Sequence, residues 1–146
     1  IEEGEKLAME MLMDKSTFHK FLEIVKIQNG DSEYVNDWSD YKRAKLRKEI
    51  IADEDGFISE MTASDFGYTA IELGCGRKRV EDKIDYLAGI ILKKKCGDEI
   101  RKGEIICELY AETEHKLKKG EMRLNGAVKI TKSKPVLKNL ILEMLD

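Results

Sequence analysis

Apolar residues recur first at helical spacing. Between residues 5 and 13, Leu7, Ala8, Met11 and Leu12 share one face, and Met9 and Met13 widen the stripe. Asp14-Lys15-Ser16 interrupts this helix, and Ser16 or Thr17 is available to cap the next. Phe18, Phe21, Leu22 and Val25 then repeat at i, i+3, i+4 and i+7, and Asn29-Gly30 supplies a left-handed stop. Two surface helices do not make a domain, so the pair reads as the tail of a larger one. Residues 31–48 are polar, with Trp38 and Tyr41 as their only large anchors, and read as a crossing loop.

The spacing shortens after residue 48. Ile50-Ile51-Ala52 and Phe57-Ile58 flank Asp53-Glu54-Asp55-Gly56, and Asp-Gly between short apolar runs predicts a hairpin. Thr62 or Ser64 can cap a helix carrying Phe66, Ala70, Ile71 and Leu73, which Gly74 closes. A further helix is expected after Arg77, with Glu81 and Asp82 in its first turn and Val80, Ile84, Leu87 and Ala88 as its apolar positions. Ile90-Ile91-Leu92 reads as a short buried strand, followed by turns at Gly97-Asp98 and Lys102-Gly103. Residues 105–110 form another strand, Thr113 caps a helix with Leu117 and Leu124, and Asn125-Gly126 ends it. Val128-Lys129-Ile130 alternates like an edge strand, and Leu140-Ile141-Leu142 is a last apolar run after Pro135, the single proline. The class is α+β with short strands.

Composition narrows the function classes. The 42% hydrophobic content suffices for a core, and 26 basic against 29 acidic residues give a net charge of −3. That balance argues against a dedicated nucleic-acid binder, which carries a basic face. No apolar run reaches the roughly 20 residues that span a bilayer. The acidic start, Ile1-Glu2-Glu3-Gly4, is unlike a signal peptide, and Ile at position 1 reads as a fragment or a trimmed chain. Cys75, Cys96 and Cys107 are odd in number and form no CxxC pair, as expected for reduced cytosolic thiols. Only His19 and His115 could join them in a metal site, so no metal or cofactor is expected in this chain.

Three stretches invite chemistry. Gly74-Cys75-Gly76-Arg77 could present backbone N–H groups and a guanidinium to an anion. The full spacing of a phosphate loop is missing, and the simpler reading is a tight corner in which Arg77 pairs with Glu81, Asp82 or Asp85. The basic cluster Lys42, Arg43, Lys45, Arg47 and Lys48 reads either as a phosphate patch or, more simply, as a solvated linker. Residues 53–58 and 97–104 resemble the two halves of a biotinyl or lipoyl carrier domain. Some forty residues separate those halves, and Ala44-Lys45-Leu46 is the nearest approach to a carrier tip. No nucleophile–base pair is visible, although the following helix and Arg77 could activate Cys75.

Several motifs taken together are specific. Gln28-Asn29-Gly30-Asp31, Ala52 to Ile58, Leu73-Gly74-Cys75-Gly76-Arg77, Glu81-Asp82-Lys83-Ile84-Asp85, Gly89 to Gly97-Asp98, and Lys102-Gly103-Glu104 occur in one order. In that order and spacing the chain resembles the C-terminal part of a pyrimidine-nucleoside phosphorylase, the family that includes thymidine phosphorylase. Asn29 stands where the family has glycine and Cys75 where it has alanine.

The resemblance implies a helical segment and linker at 1–47, the remnant of a larger α/β domain. It implies an α/β-hammerhead-like domain of mainly antiparallel strands at 48–146. It also implies a cytoplasmic pentosyltransferase of pyrimidine salvage, a homodimer that splits nucleosides with phosphate. Phosphate and nucleoside would be bound upstream, so no catalytic, cofactor or metal residue is assigned to this chain. Gly56, Gly74, Gly76, Arg77, Asp82, Asp85, Gly97 and Asp98 carry the family motif in a structural role.

Overall fold

The computed structural model describes residues 2–37 and 41–137. The chain divides into two compact units, residues 1–42 and 43–146.

The first unit is helical: α1 (Glu2–Met13), α2 (Ser16–Ile27) and α3 (Ser32–Asn36). Neither α1 nor α2 has a buried residue, and Leu12, Phe21 and Ile27 are exposed. The α1–α2 joint differs from the expected cap. Lys15 holds the N-cap position at φ 63° without a side-chain bond, and Asp14 Oδ1 accepts from Ser16 N at 2.8 Å. The Ser16 and Thr17 hydroxyls instead donate back to the Met11 carbonyl. Asn29 adopts the left-handed conformation at φ 58°, and Gly30 N closes α2 onto Val25 O at 2.8 Å, as the sequence predicts. The expected loop from residue 31 contains α3, because Asp31 Oδ1 accepts from Glu33 N and Tyr34 N. Tyr41 packs on Tyr34 with ring centroids 5.1 Å apart and the rings tilted by 39°, while Trp38 lies outside the described residues.

The second unit runs β1 (Leu46–Ile51), β2 (Gly56–Met61), α4 (Ala63–Leu73), β3 (Gly89–Leu92), β4 (Glu99–Ile100), β5 (Ile105–Ala111), α5 (Glu114–Leu124) and β6 (Val128–Thr131). Two three-stranded antiparallel sheets result, ordered β1-β5-β3 and β4-β2-β6. The fold is α+β with short antiparallel strands. Alternation along β5 sends Cys107, Leu109 and Ala111 to the core that α4 and α5 cover with Leu73, Leu117 and Leu124. A second core of Ala52, Ile58, Ile100 and Ile106 forms a separate cluster. Met61, Val128 and Ile130 pack against it. Among the described residues β6 pairs with β2 alone, an edge strand as expected.

In the second unit an expected hairpin and an expected helix do not form. The 53–56 turn is no hairpin: β1 pairs with β5 while β2 pairs with β4 and β6. The β1–β5 ladder shifts register at Ile50/Ile51, and Ala52 is then held by residues 103 and 104. Asp55 Oδ1 accepts from Lys102 N at 2.7 Å, so the acidic turn becomes a corner between sheets. The helix expected after Arg77 is also absent, and side-chain carboxylates bond this backbone locally instead. Asp82 Oδ2 accepts from Lys78 N and Arg79 N, and Asp85 Oδ1 accepts from Leu87 N. The apolar run at 140–142 lies outside the described residues.

Candidate functional site

The 74–85 corner is the densest group of sequence-selected residues. Gly74 ends α4 at φ 115°, a conformation that favours glycine, and its N–H reaches Ala70 O and Ile71 O. Cys75 N also donates to Ala70 O, and Gly74 O accepts from Asp85 N at 2.9 Å, which closes the corner on itself. A Cβ on Gly74 would stand 3.1 Å from Lys116 Nζ and 3.3 Å from Asp85 Cβ. One on Gly76 would meet Ile71 Cγ1 at 2.9 Å.

The backbone N–H groups of Arg79 and then Lys78 hold the Asp82 carboxyl below the usual carboxylate range. Arg77 does not play its expected part: among the described residues its guanidinium has no carboxylate within ion-pair distance, and it is exposed. Burial pushes the Cys75 thiol up, and its own backbone hydrogen bond only partly offsets this, opposite in direction to the activation that the sequence suggested.

The other selected residues lie at the second core. Gly97 turns at φ 91° and donates its N–H to Ile58 O at 2.8 Å. Asp98 Oδ2 accepts from Lys95 N, while its carbonyl takes the N–H of Ile58. Gly56 opens β2 where that strand runs close to β6: a Cβ would meet Thr131 O at 2.4 Å. Lys45, the nearest approach to a carrier lysine, precedes β1 directly and occupies no hairpin tip. Among the described residues no group of three metal-ligating side chains gathers.

One charged cluster escaped sequence reading. Glu108 lies in the middle of β5 with its side chain only 8% exposed. Arg47 Nη2 reaches its Oε1 at 2.5 Å, the Tyr110 hydroxyl donates to Oε2 at 2.9 Å, and Lys93 Nζ lies 3.4 Å from Oε2. Burial raises the carboxyl, but the hydrogen bonds from Arg47, Tyr110 and Lys93 outweigh it and hold Glu108 below its ordinary value. The signal was a lone carboxylate within an otherwise apolar strand. Arg43 stands over the Tyr110 ring at 5.5 Å, so members of the basic 42–48 cluster serve this sheet face.

The neighbouring Cys107 thiol is fully buried, and burial, then the Glu108 charge, pushes it up to about 11 from 9.0. Between those values the folded chain keeps a proton that the unfolded chain loses. The thiol's contribution to stability is therefore complete below pH 9 and is lost as pH rises through about 11. Alkylation mapped by mass spectrometry is expected to leave Cys107 unmodified in the folded chain and to label it fully in urea. Labelling of the folded chain at the unfolded rate would contradict the burial.

These elements define a small α+β domain whose selected glycines and carboxylates satisfy backbone groups at tight turns and close strand approaches. Comparisons with known proteins show the family of this domain. The model of the family described as "Pyrimidine nucleoside phosphorylase C-terminal domain" matches residues 57–131, just over half of the chain, and the chain belongs to that family. It is 37% identical over 115 residues to a pyrimidine-nucleoside phosphorylase of Bacillus subtilis (strain 168), covering 79% of this chain and 27% of that protein. It is 36% identical over 114 residues to a pyrimidine-nucleoside phosphorylase of Geobacillus stearothermophilus, covering 78% and 26%. A thymidine phosphorylase of Metamycoplasma hominis is 34% identical over 109 residues, covering 75% of this chain and 40% of that protein. The chain thus spans about a quarter of the first two relatives. Among the described residues no helix is long and apolar enough to cross a membrane.

Proposed function

We propose that this chain is the C-terminal structural domain of a cytoplasmic, homodimeric pyrimidine-nucleoside phosphorylase. The enzyme would cleave pyrimidine nucleosides with phosphate to the free base and a pentose 1-phosphate. The supporting observation is the family match over residues 57–131, together with relatives about four times as long as the stretch they share with this chain. In this reading residues 1–47 belong to the larger domain of the enzyme and residues 48–146 to the C-terminal domain. The exposed apolar residues of α1 and α2 then pack against the rest of the phosphorylase. Gly56, Gly74, Gly76, Asp82, Asp85, Gly97 and Asp98 shape backbone and touch neither the nucleoside nor the phosphate that attacks it. Arg77, exposed and unpaired among the described residues, belongs to the same motif without a pairing role. The reacting phosphate and the nucleoside are bound outside this chain, and no cofactor, nucleic acid or membrane is involved.

Two assays of phosphate-dependent thymine or uracil release test this. The 146-residue chain alone is expected to give no turnover, and clear turnover would overturn the structural role. The longer protein carrying this chain is expected to release base only with phosphate. Failure with both thymidine and uridine would overturn the enzymatic reading.

A further inference from the structure

Between the end of α4, the 74–85 corner and the first turns of α5 lies an open cleft of about 320 Å³. Its walls carry Lys78, Lys83, Lys116 and Lys119 against two carboxylates, Glu72 and Asp82. Both carboxylates are engaged already: Glu72 pairs with Lys78, and Asp82 accepts from the backbone of Lys78 and Arg79. Lys116 has one carboxylate partner among the described residues, Glu112 at 3.8 Å, an exposed pair of little energetic weight. Lys83 and Lys119 have none among the described residues. The result is a recess with excess positive charge, and a concave surface of one sign focuses its field.

The backbone adds to this. The Ala70 and Ile71 carbonyls at the end of α4 are taken by the N–H groups of Gly74 and Cys75. The negative end of the helix is thereby partly consumed. Gly76 lines the cleft, and among the described residues its backbone N–H has no acceptor. Without a side chain on Gly74, the Lys116 ammonium reaches the corner backbone.

We infer that this cleft is an anion site that takes a phosphate group. The ammonium groups of Lys83, Lys116 and Lys119 supply charge, and the Gly76 N–H supplies a hydrogen bond. The volume lies at the low end for small-ligand sites, which suits a phosphate ion or a small phosphate ester. The inference rests on the cleft and its charges, and it stands whether or not the proposed enzymatic role does.

Calorimetric titration of the 146-residue chain with inorganic phosphate and, separately, with ribose 5-phosphate tests it. Saturable binding is expected in at least one arm, and the tighter ligand identifies ion or ester as the source. Lys83→Gln combined with Lys119→Gln is expected to weaken that binding about tenfold or more. Lys118→Gln removes one charge from the same helix outside the cleft and is expected to change it less than about twofold. All three lysines are exposed, so the variants should keep the fold, which circular dichroism checks. Absence of saturation in both arms, or equal weakening by the cleft and control variants, would overturn the inference.

Discussion

Leu73→Ala is expected to lose about 2–5 kcal/mol of folding stability. Leu73 is the last residue of α4, is fully buried, and belongs to the core with Leu109, Leu117 and Leu124. It fills the seam where α5 comes closest, since a Cβ on Gly120 would stand 2.9 Å from Leu73 Cδ2. Gly120 has no side chain to swing into the space left behind, so the cavity persists and the cost falls toward the upper end. Urea unfolding followed by circular dichroism should show a lower midpoint at an unchanged slope. In the first unit, Leu12 is 64% exposed, and Leu12→Ala is expected to stay within about 0.5 kcal/mol. A Leu73→Ala loss below about 1 kcal/mol would mean that the α4–α5 seam is not a packed core.

Leu73 also shows what a sequence can reveal of such a chain. Residues whose role is local were readable: the periodic faces of α1, α2, α4 and α5, the apolar runs of β3 and β5, and the left-handed positions at Asn29, Gly74 and Gly97. Roles that depend on distant partners were not. Asp-Gly at 55–56 carries the local signature of a hairpin, yet the paired residues of β1 and β2 lie 42 to 74 positions away. The two-residue β4 is too short to show a period, and it exists because β2 lies beside it. At 78–88 the apolar spacing suited a helix, but Asp82 and Asp85 bond the backbone in a competing way that spacing does not register. Glu108 was visible only as an oddity in an apolar strand, because Arg47 and Lys93 join it through the sheet. The corner motif was legible as a family mark, whereas the lysines of α5 that share its cleft were not.

Gly56→Ala is expected to cost about 1–3 kcal/mol, the price of forcing a methyl group into a filled space. Gly56 needs no unusual φ; the constraint is room. The added Cβ would lie 2.4 Å from Thr131 O and 2.7 Å from Ile130 Cγ2. A carbonyl oxygen on β6 has no rotamer to escape through, so relief requires β2 and β6 to separate. That separation spreads to their ladder, where Ile58, fully buried, is paired with Ile130. Gly67→Ala supplies the matching control, because Gly67 is an exposed residue within α4 whose Cβ would meet nothing within 4 Å. There the same substitution is expected to stabilise the chain by about 0.5–1 kcal/mol through better helix propensity. Thermal or urea unfolding should therefore move in opposite directions for the two variants. A neutral or stabilising Gly56→Ala would show that the strands are not held at this distance, and the motif glycine would then lack its steric reason.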